Sequence, residues 1–172
     1  SDEKPYDGTA LTNSGYDITK GSFIGEDGFA SVAVNGSQTI VGESGNTITG
    51  YELKEGTKAG NYTITTKKGK LKVTDREEGK KFAVTVTAKS LEVTYNGSEQ
   101  KVEGLQSITG LLAGHQLTGL SASASGTDAD SYVSKVTGTA VIVDEKGNDV
   151  TSQYTVKTED GELKIKPRSL IL

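Results

Sequence analysis

One pattern, Y-T-[IV]-x-T-x-x-G-x-L-K-[VI], occurs twice in the chain, over Tyr62–Val73 and again over Tyr154–Ile165, 92 residues apart. A Tyr-Asp/Asn-Gly turn also occurs twice, in YDGTALT from Tyr6 and in YNGSEQKV from Tyr95, 89 residues apart. Both pairs keep the same order and their offsets differ by three residues, so the chain is an internal tandem duplication with a small insertion in its second copy. Whatever one half forms, the other is expected to form. At 172 residues, that means two units of roughly 85 residues, near the lower end of what folds unaided.

The segments between the landmarks read as strands. Asn61–Thr66, Lys70–Thr74, Phe82–Thr87, Leu91–Tyr95, Ala140–Val143, Tyr154–Thr158 and Glu162–Lys166 are short, rich in Thr, Val, Ile and Tyr, and mostly alternating. In KLKVT, Leu71 and Val73 share one face of the pleat, as do Leu163 and Ile165 in ELKIK. KKGK and EDGE place Gly69 and Gly161 where a hairpin turn would need positive φ, so each unit is expected to close with a hairpin. Leu105–Gly114 has near-helical apolar spacing, but its two internal glycines favour a turn or strand. Gly114–Ser134 is expected to occupy the place of Gly28–Tyr51, each an alternating strand, a Gly-rich turn and a second strand.

The most charged, least apolar stretch, Thr74–Lys81, marks the boundary. We therefore expect two small all-β, sandwich-like modules arranged end to end, residues 1–80 and 81–168, with β-grasp-like α+β units as the alternative. Residues 169–172 read as the start of a following repeat.

Composition narrows the chemistry. The chain has no cysteine, methionine or tryptophan, which excludes disulfides, thiol catalysis and thiolate metal sites. Nineteen basic and 23 acidic side chains leave no basic surplus for nucleic-acid phosphates, and the densest lysine run, Lys67–Lys72, is followed at once by DREEG. His115 is the sole histidine and has Phe29 at the roughly aligned place of the first unit; it reads as structural. The carboxylate pairs Asp128 with Asp130 and Asp144 with Glu145 lie in turn-rich sequence, where Asp caps its own backbone. DEKGNDVT offers Asp144, Asn148 and Asp149 to calcium but lacks the alternating ligand spacing of a helix-loop-helix site. No Lys–Asn pair stands out for an intramolecular amide crosslink. Among the tyrosines, Tyr6, Tyr62, Tyr95 and Tyr154 occur at matched positions, as core or corner residues do, which leaves Tyr16, Tyr51 and Tyr132 for surface roles.

KPYDGTALTNSGYDI, GYELKEGTKAGNYTITTKKGKLKVT and DEKGNDVTSQYTVKTEDGELKIKPRSL resemble the YDG/MBG-type repeats found in tandem in large cell-wall-attached surface proteins of Gram-positive bacteria. The first unit carries the opening and closing parts of that pattern at Tyr6, Asp7, Gly8, Asn61, Tyr62, Gly69 and Leu71. The second has Asn96 for Asp in its opening, DADSY at Asp128–Tyr132 and Gln153 before Tyr154. The resemblance implies an extracellular, non-catalytic module at the cell surface or cell wall, strung together with like repeats as a stalk or spacer. Such a stalk projects an adhesive or enzymatic region. The chain is expected to be monomeric, with neighbouring repeats as partners and no cofactor, metal, nucleic acid or membrane insertion. The alternative it implies is an adhesin module that binds host mucin or glycan, for which Tyr51 and Tyr132 are the candidate ligand-binding residues.

Overall fold

The computed structural model describes residues 1–172, which divide into two compact units, Ser1–Arg76 and Glu77–Leu172. The protein is all-β and sandwich-like, with no α-helix: its only helical elements are 3₁₀ turns at Ala59–Asn61 and Thr151–Gln153. A β-grasp unit needs a helix packed on its sheet, so that alternative is set aside.

In unit 1 the strands are β1 (Asp2–Pro5), β2 (Phe29–Asn35), β3 (Gly42–Leu53) and β4 (Gly69–Thr74), in the order β1-β4-β3-β2. The long β3 serves two neighbours: its first part, Gly42–Asn46, pairs with β4, and its second part, Thr47–Leu53, pairs with β2. β1 and β4 are parallel, Asp2 opposite Leu71 and Pro5 opposite Thr74. Only Tyr6, Leu11, Leu71 and Val73 form the buried apolar core.

Unit 2 contains β5 (Phe82–Ala88), β6 (Leu91–Thr94), β7 (Gln100–Glu103), β8 (Leu105–Thr109), β9 (Gln116–Ser121), β10 (Ser123–Gly126), β11 (Asp130–Ser134), β12 (Thr137–Val143), β13 (Tyr154–Glu159) and β14 (Gly161–Lys166). They form two three-stranded sheets, β13-β5-β8 and β11-β14-β6, and two two-stranded ones, β10-β7 and β12-β9. The path of β3 is divided here between β11, which pairs with β14, and β12, which pairs with β9. Alternation in FAVTVTA turns Val84, Val86 and Ala88 to the interior, where each is at most 1% exposed. Val102, Leu163 and Ile165 form a second cluster, with Val93, Ala124 and Tyr132 packed on it.

Shared hydrogen bonds confirm that the units correspond position by position. Asp7 accepts from the Thr9 N–H and Asn96 from the Ser98 N–H, both at 2.9 Å, so Asn keeps the same turn. The glycines that follow, Gly8 and Gly97, have φ of 80° and 78°, which no β-carbon tolerates comfortably. The Tyr6 and Tyr95 amides donate to Thr74 and Lys166 carbonyls, and Arg76 and Arg168 donate back to the tyrosine carbonyls. The isolated Leu11–Gln38 bridge stands where β7 and β10 pair through Gln100 and Gly126. The three extra residues fall between β12 and the second 3₁₀ turn: Leu53 and Ile142 hold matching registers, yet Ala59 and Thr151 begin the two turns.

Three sequence expectations are corrected. The closing hairpin does not exist: β13 and β14 are consecutive but lie in different sheets, because each finds a parallel partner, β5 and β6, instead of the other. Gly69 and Gly161 accordingly do not have positive φ. Asn61–Thr66 is not a strand; the 3₁₀ turn ends at Asn61, and residues 62–68 form no ladder. Its counterpart Tyr154–Glu159 is a strand because β5 lies beside it, and unit 1 holds no strand in that place. Finally, Tyr95 is 38% exposed, so its corner role is carried by its backbone; Tyr6 and Tyr154 are buried.

Candidate functional site

Unit 1 has a groove of about 640 Å³ between two segments that form no ladder, Gly15–Phe23 and Tyr62–Lys68. Phe29, Val32, Val34 and Ile48 face it from β2 and β3. A chain of aromatic rings runs along one end. Phe29 contacts Tyr16 at 5.8 Å, Phe23 at 5.0 Å and Tyr51 at 5.2 Å between ring centroids, and Phe23 also meets Tyr62 at 4.8 Å. Most of these pairs are edge-on, the arrangement the ring quadrupole favours.

The anchor of this end is Tyr62. Its hydroxyl accepts from the Ile24 N–H at 3.0 Å and donates to Asp27 Oδ2 at 2.6 Å. That bond to a carboxylate raises the phenol's pKa, because ionising Tyr62 would set two negative charges face to face. In unit 2, Tyr154 does the same work: its hydroxyl accepts from the Leu112 N–H at 3.1 Å and lies 2.7 Å from His115 Nδ1. Burial raises the Tyr154 pKa, with the Leu112 bond opposing. His115 therefore corresponds to Asp27, not to Phe29 as the sequence alignment places it. The one-residue-in-two histidine is the partner of a buried tyrosine, with its Nε2 4.0 Å from Glu145.

The two candidate ligand-binding tyrosines lie in different units. Tyr51, 42% exposed, sits beside Phe29 and lines the groove of unit 1. Tyr132 is half-buried on the Val102–Leu163–Ile165 cluster, its hydroxyl donates to the Asp128 carbonyl at 3.0 Å, and its ring lies over Gly126, where a β-carbon would overlap it. Tyr132 thus packs as a core cover. Tyr16, Phe23 and Phe29 were not singled out as a group in the sequence, since they converge only through the fold. Their counterparts in the second unit, Leu105, Leu111 and Leu117, are aliphatic, and that contrast between aligned positions is the signal that would have found them.

Three of the acidic candidates, Asp130, Asp144 and Asp149, are backbone caps. Asp144 accepts from the Lys146 and Asn148 amides and from Asn148 Nδ2, all at 2.9 Å. Asp149 accepts from the Thr151 amide and hydroxyl, and Asp130 from the Ser131 amide. No group of three or more His, Asp or Glu side chains converges as metal donors. Burial alone would raise the Asp144 pKa, but the bonds from Asn148 and Lys146 outweigh it and hold the carboxyl below its ordinary value. A depressed folded pKa means the stabilisation is present above the unfolded value, near 3.8, and is lost as pH falls through the lower folded value. Asp144→Ala should therefore cost unit 2 about 2 kcal/mol in urea unfolding at pH 7. The gap between variant and parent should narrow as the pH falls below the unfolded value near 3.8 and through the lower folded one; a gap unchanged by acid would refute the capping role.

Comparison of the chain with protein-family models, with curated proteins and with solved structures returned no match.

Proposed function

We propose that the chain is a non-catalytic tandem-repeat segment of a bacterial surface protein, a spacer that carries tension between a cell wall and the adhesive or enzymatic region it projects. The observation that supports this reading best is the direction of pairing at the ends of each unit. In unit 2, β5 and then β6 run parallel to β13 and then β14, from Phe82 opposite Tyr154 to Thr94 opposite Lys166. A pull applied from the two sides of the unit moves such neighbours past each other, so the ladder's hydrogen bonds are loaded together and must fail together. An antiparallel hairpin pulled from its open end would lose them one at a time. Unit 1 has a shorter version, Asp2 to Pro5 against Leu71 to Thr74.

Single-molecule pulling tests this directly. Two unfolding events are expected, releasing roughly 270 Å and 340 Å of chain for units of 76 and 96 residues at about 3.5 Å per residue. The longer release should need the greater force, because its parallel ladder holds ten residue pairs against four. If unit 2 gave way at the lower force, tension-bearing would be the wrong reading. The alternative, a mucin- or glycan-binding module, has the aromatic groove of unit 1 in its favour, with Tyr16 and Tyr51 exposed on it. Retention of the chain on immobilised mucin glycans, lost on Tyr51→Ala, would support that alternative instead.

A further inference from the structure

We propose that Asn96 is a site of spontaneous covalent modification, where the turn around it assists the conversion of the asparagine to an acid through a cyclic imide. The proposal goes beyond the spacer reading and stands without it, because it rests on one turn of unit 2.

Asn96 is followed by Gly97, and the chain has one other such step, Asn35–Gly36. In an Asn-Gly step the glycine amide nitrogen can attack the asparagine Cγ, since no side chain on the glycine obstructs the five-membered ring that forms. The N–Cγ bond forms and the Cγ–Nδ2 bond breaks; the glycine nitrogen gives up its proton and ammonia departs. Water then adds to one of the two imide carbonyls and reopens the ring. The product is aspartate or isoaspartate, the latter with the backbone running through the former side chain. Nothing is oxidised or reduced, and water is the only co-reactant.

The fold sets the two steps apart. Asn96 and Gly97 lie just past β6, exposed and outside any ladder. The Gly97 amide makes no hydrogen bond within the chain, and a β-carbon on Gly97 would meet only the Tyr95 hydroxyl, at 3.9 Å, so the backbone has room to close the ring. Asn96 Oδ1 accepts from the Ser98 N–H at 2.9 Å and from Gln100 Nε2 at 3.0 Å. These two donors polarise the carbonyl under attack and hold the negative charge its oxygen gains in the tetrahedral intermediate. Asn35, by contrast, ends β2 opposite Thr47, and Gly36 is wedged: a β-carbon there would lie 2.6 Å from both the Gly45 carbonyl and Asn46 Oδ1. Backbone held so closely cannot turn toward the Asn35 side chain without opening the β2–β3 ladder.

Unit 1 shows what the aspartate product looks like. Asp7 stands at the matched place and caps the Thr9 amide at 2.9 Å, so an aspartate at position 96 keeps the turn. Lys4, which pairs with Asp7 at 2.9 Å, has Val93 as its counterpart, so the new charge in unit 2 lacks that cation. Isoaspartate instead adds a methylene to the backbone directly after Tyr95, whose amide and carbonyl bond Lys166 and Arg168. Conversion to that form loosens the end of the β6–β14 ladder.

The test holds the whole chain at mildly alkaline pH in oxygen-18 water and follows both asparagines by peptide mass spectrometry. Asn96 should convert at least about tenfold faster than Asn35, whose ladder must open first, and each product should carry one oxygen from the solvent. In guanidinium chloride, with both units unfolded, the two rates should converge. Gln100→Ala removes one of the two donors and should slow Asn96 in the folded chain by about threefold, with no effect on the denatured chain. The proposal is overturned by equal rates at the two asparagines of the folded chain, by an Asn96 left intact while the denatured chain converts, or by a folded-state rate indifferent to Gln100→Ala.

Discussion

Replacing Gly161 by alanine should lower the melting temperature of unit 2 by roughly 15 °C, while the matched replacement Gly69→Ala should leave unit 1 within a few degrees of the parent. That estimate takes a cost of about 3 kcal/mol, typical of severe overpacking, at about 4–8 °C per kcal/mol for a domain of this size. Both glycines have ordinary φ, so on chain entropy alone alanine would stabilise either position by about 0.4–1 kcal/mol. Space decides the matter. At Gly161 the chain crosses from one sheet to the other, and the new β-carbon would overlap the backbone carbonyl of Lys89, with the Ala88 carbonyl 3.2 Å away. Backbone cannot swing aside as a side-chain tip can, and Lys89 is held by its own amide bonding to the Gly104 carbonyl. Next to it the Glu162 amide donates to Ser90 Oγ at 3.0 Å, so the crossing is tied on both sides. At Gly69 the nearest atoms are Ser1 Oγ and N, at 3.2 and 3.3 Å, so the neighbours need give by only a few tenths of an ångström. Scanning calorimetry of both variants checks the pair. Equal effects would mean that the two crossings are packed alike.

How much of this was legible in the sequence depends on how local the cause is. The duplication was, because it is a pattern in the chain itself, and so was the all-β class, because Thr, Val and Ile at alternate positions between glycines suit a pleated, half-buried surface. The opening turn was legible too, since Asp and Asn both bond the amide two residues on. Partner choice was not. Tyr154–Glu159 and Gly161–Lys166 read as a hairpin because a glycine lies between them, yet each pairs with a segment about 70 residues earlier in the chain. Tyr62–Val73 has the same motif and still differs in structure, because a strand is made by its neighbour as much as by its own residues. Asp27 and His115 illustrate the same limit. No propensity connects an acid with an imidazole, but both hydrogen-bond the hydroxyl of the corresponding tyrosine, and only the fold brings them there. Tyr132 was left for a surface role because it is not among the tyrosines at matched positions, whereas its ring fills the place left by the missing side chain of Gly126.

Val86→Asp should remove the folded form of unit 2 at room temperature and pH 7 while unit 1 keeps its amide protection. Val86 is 0% exposed at the centre of β5, with Thr158 on one side and Ile108 on the other. A carboxylate placed there has no cation or donor waiting for it, and burying it costs more than about 4 kcal/mol, a large share of what a domain of about 100 residues has to lose. Two escapes are open to the chain. It can unfold unit 2 altogether, or it can expel β5 and keep the remainder, which would leave Leu105–Thr109 and Tyr154–Glu159 without the strand between them. Hydrogen exchange tells these apart, since expulsion would spare the amides of β11, β12 and β14 and expose only those of β5, β8 and β13. The second outcome would show that the rest of a unit can persist without its central strand. A variant that kept both its melting temperature and the protection of β13 would mean that β5 is not the strand around which unit 2 is built.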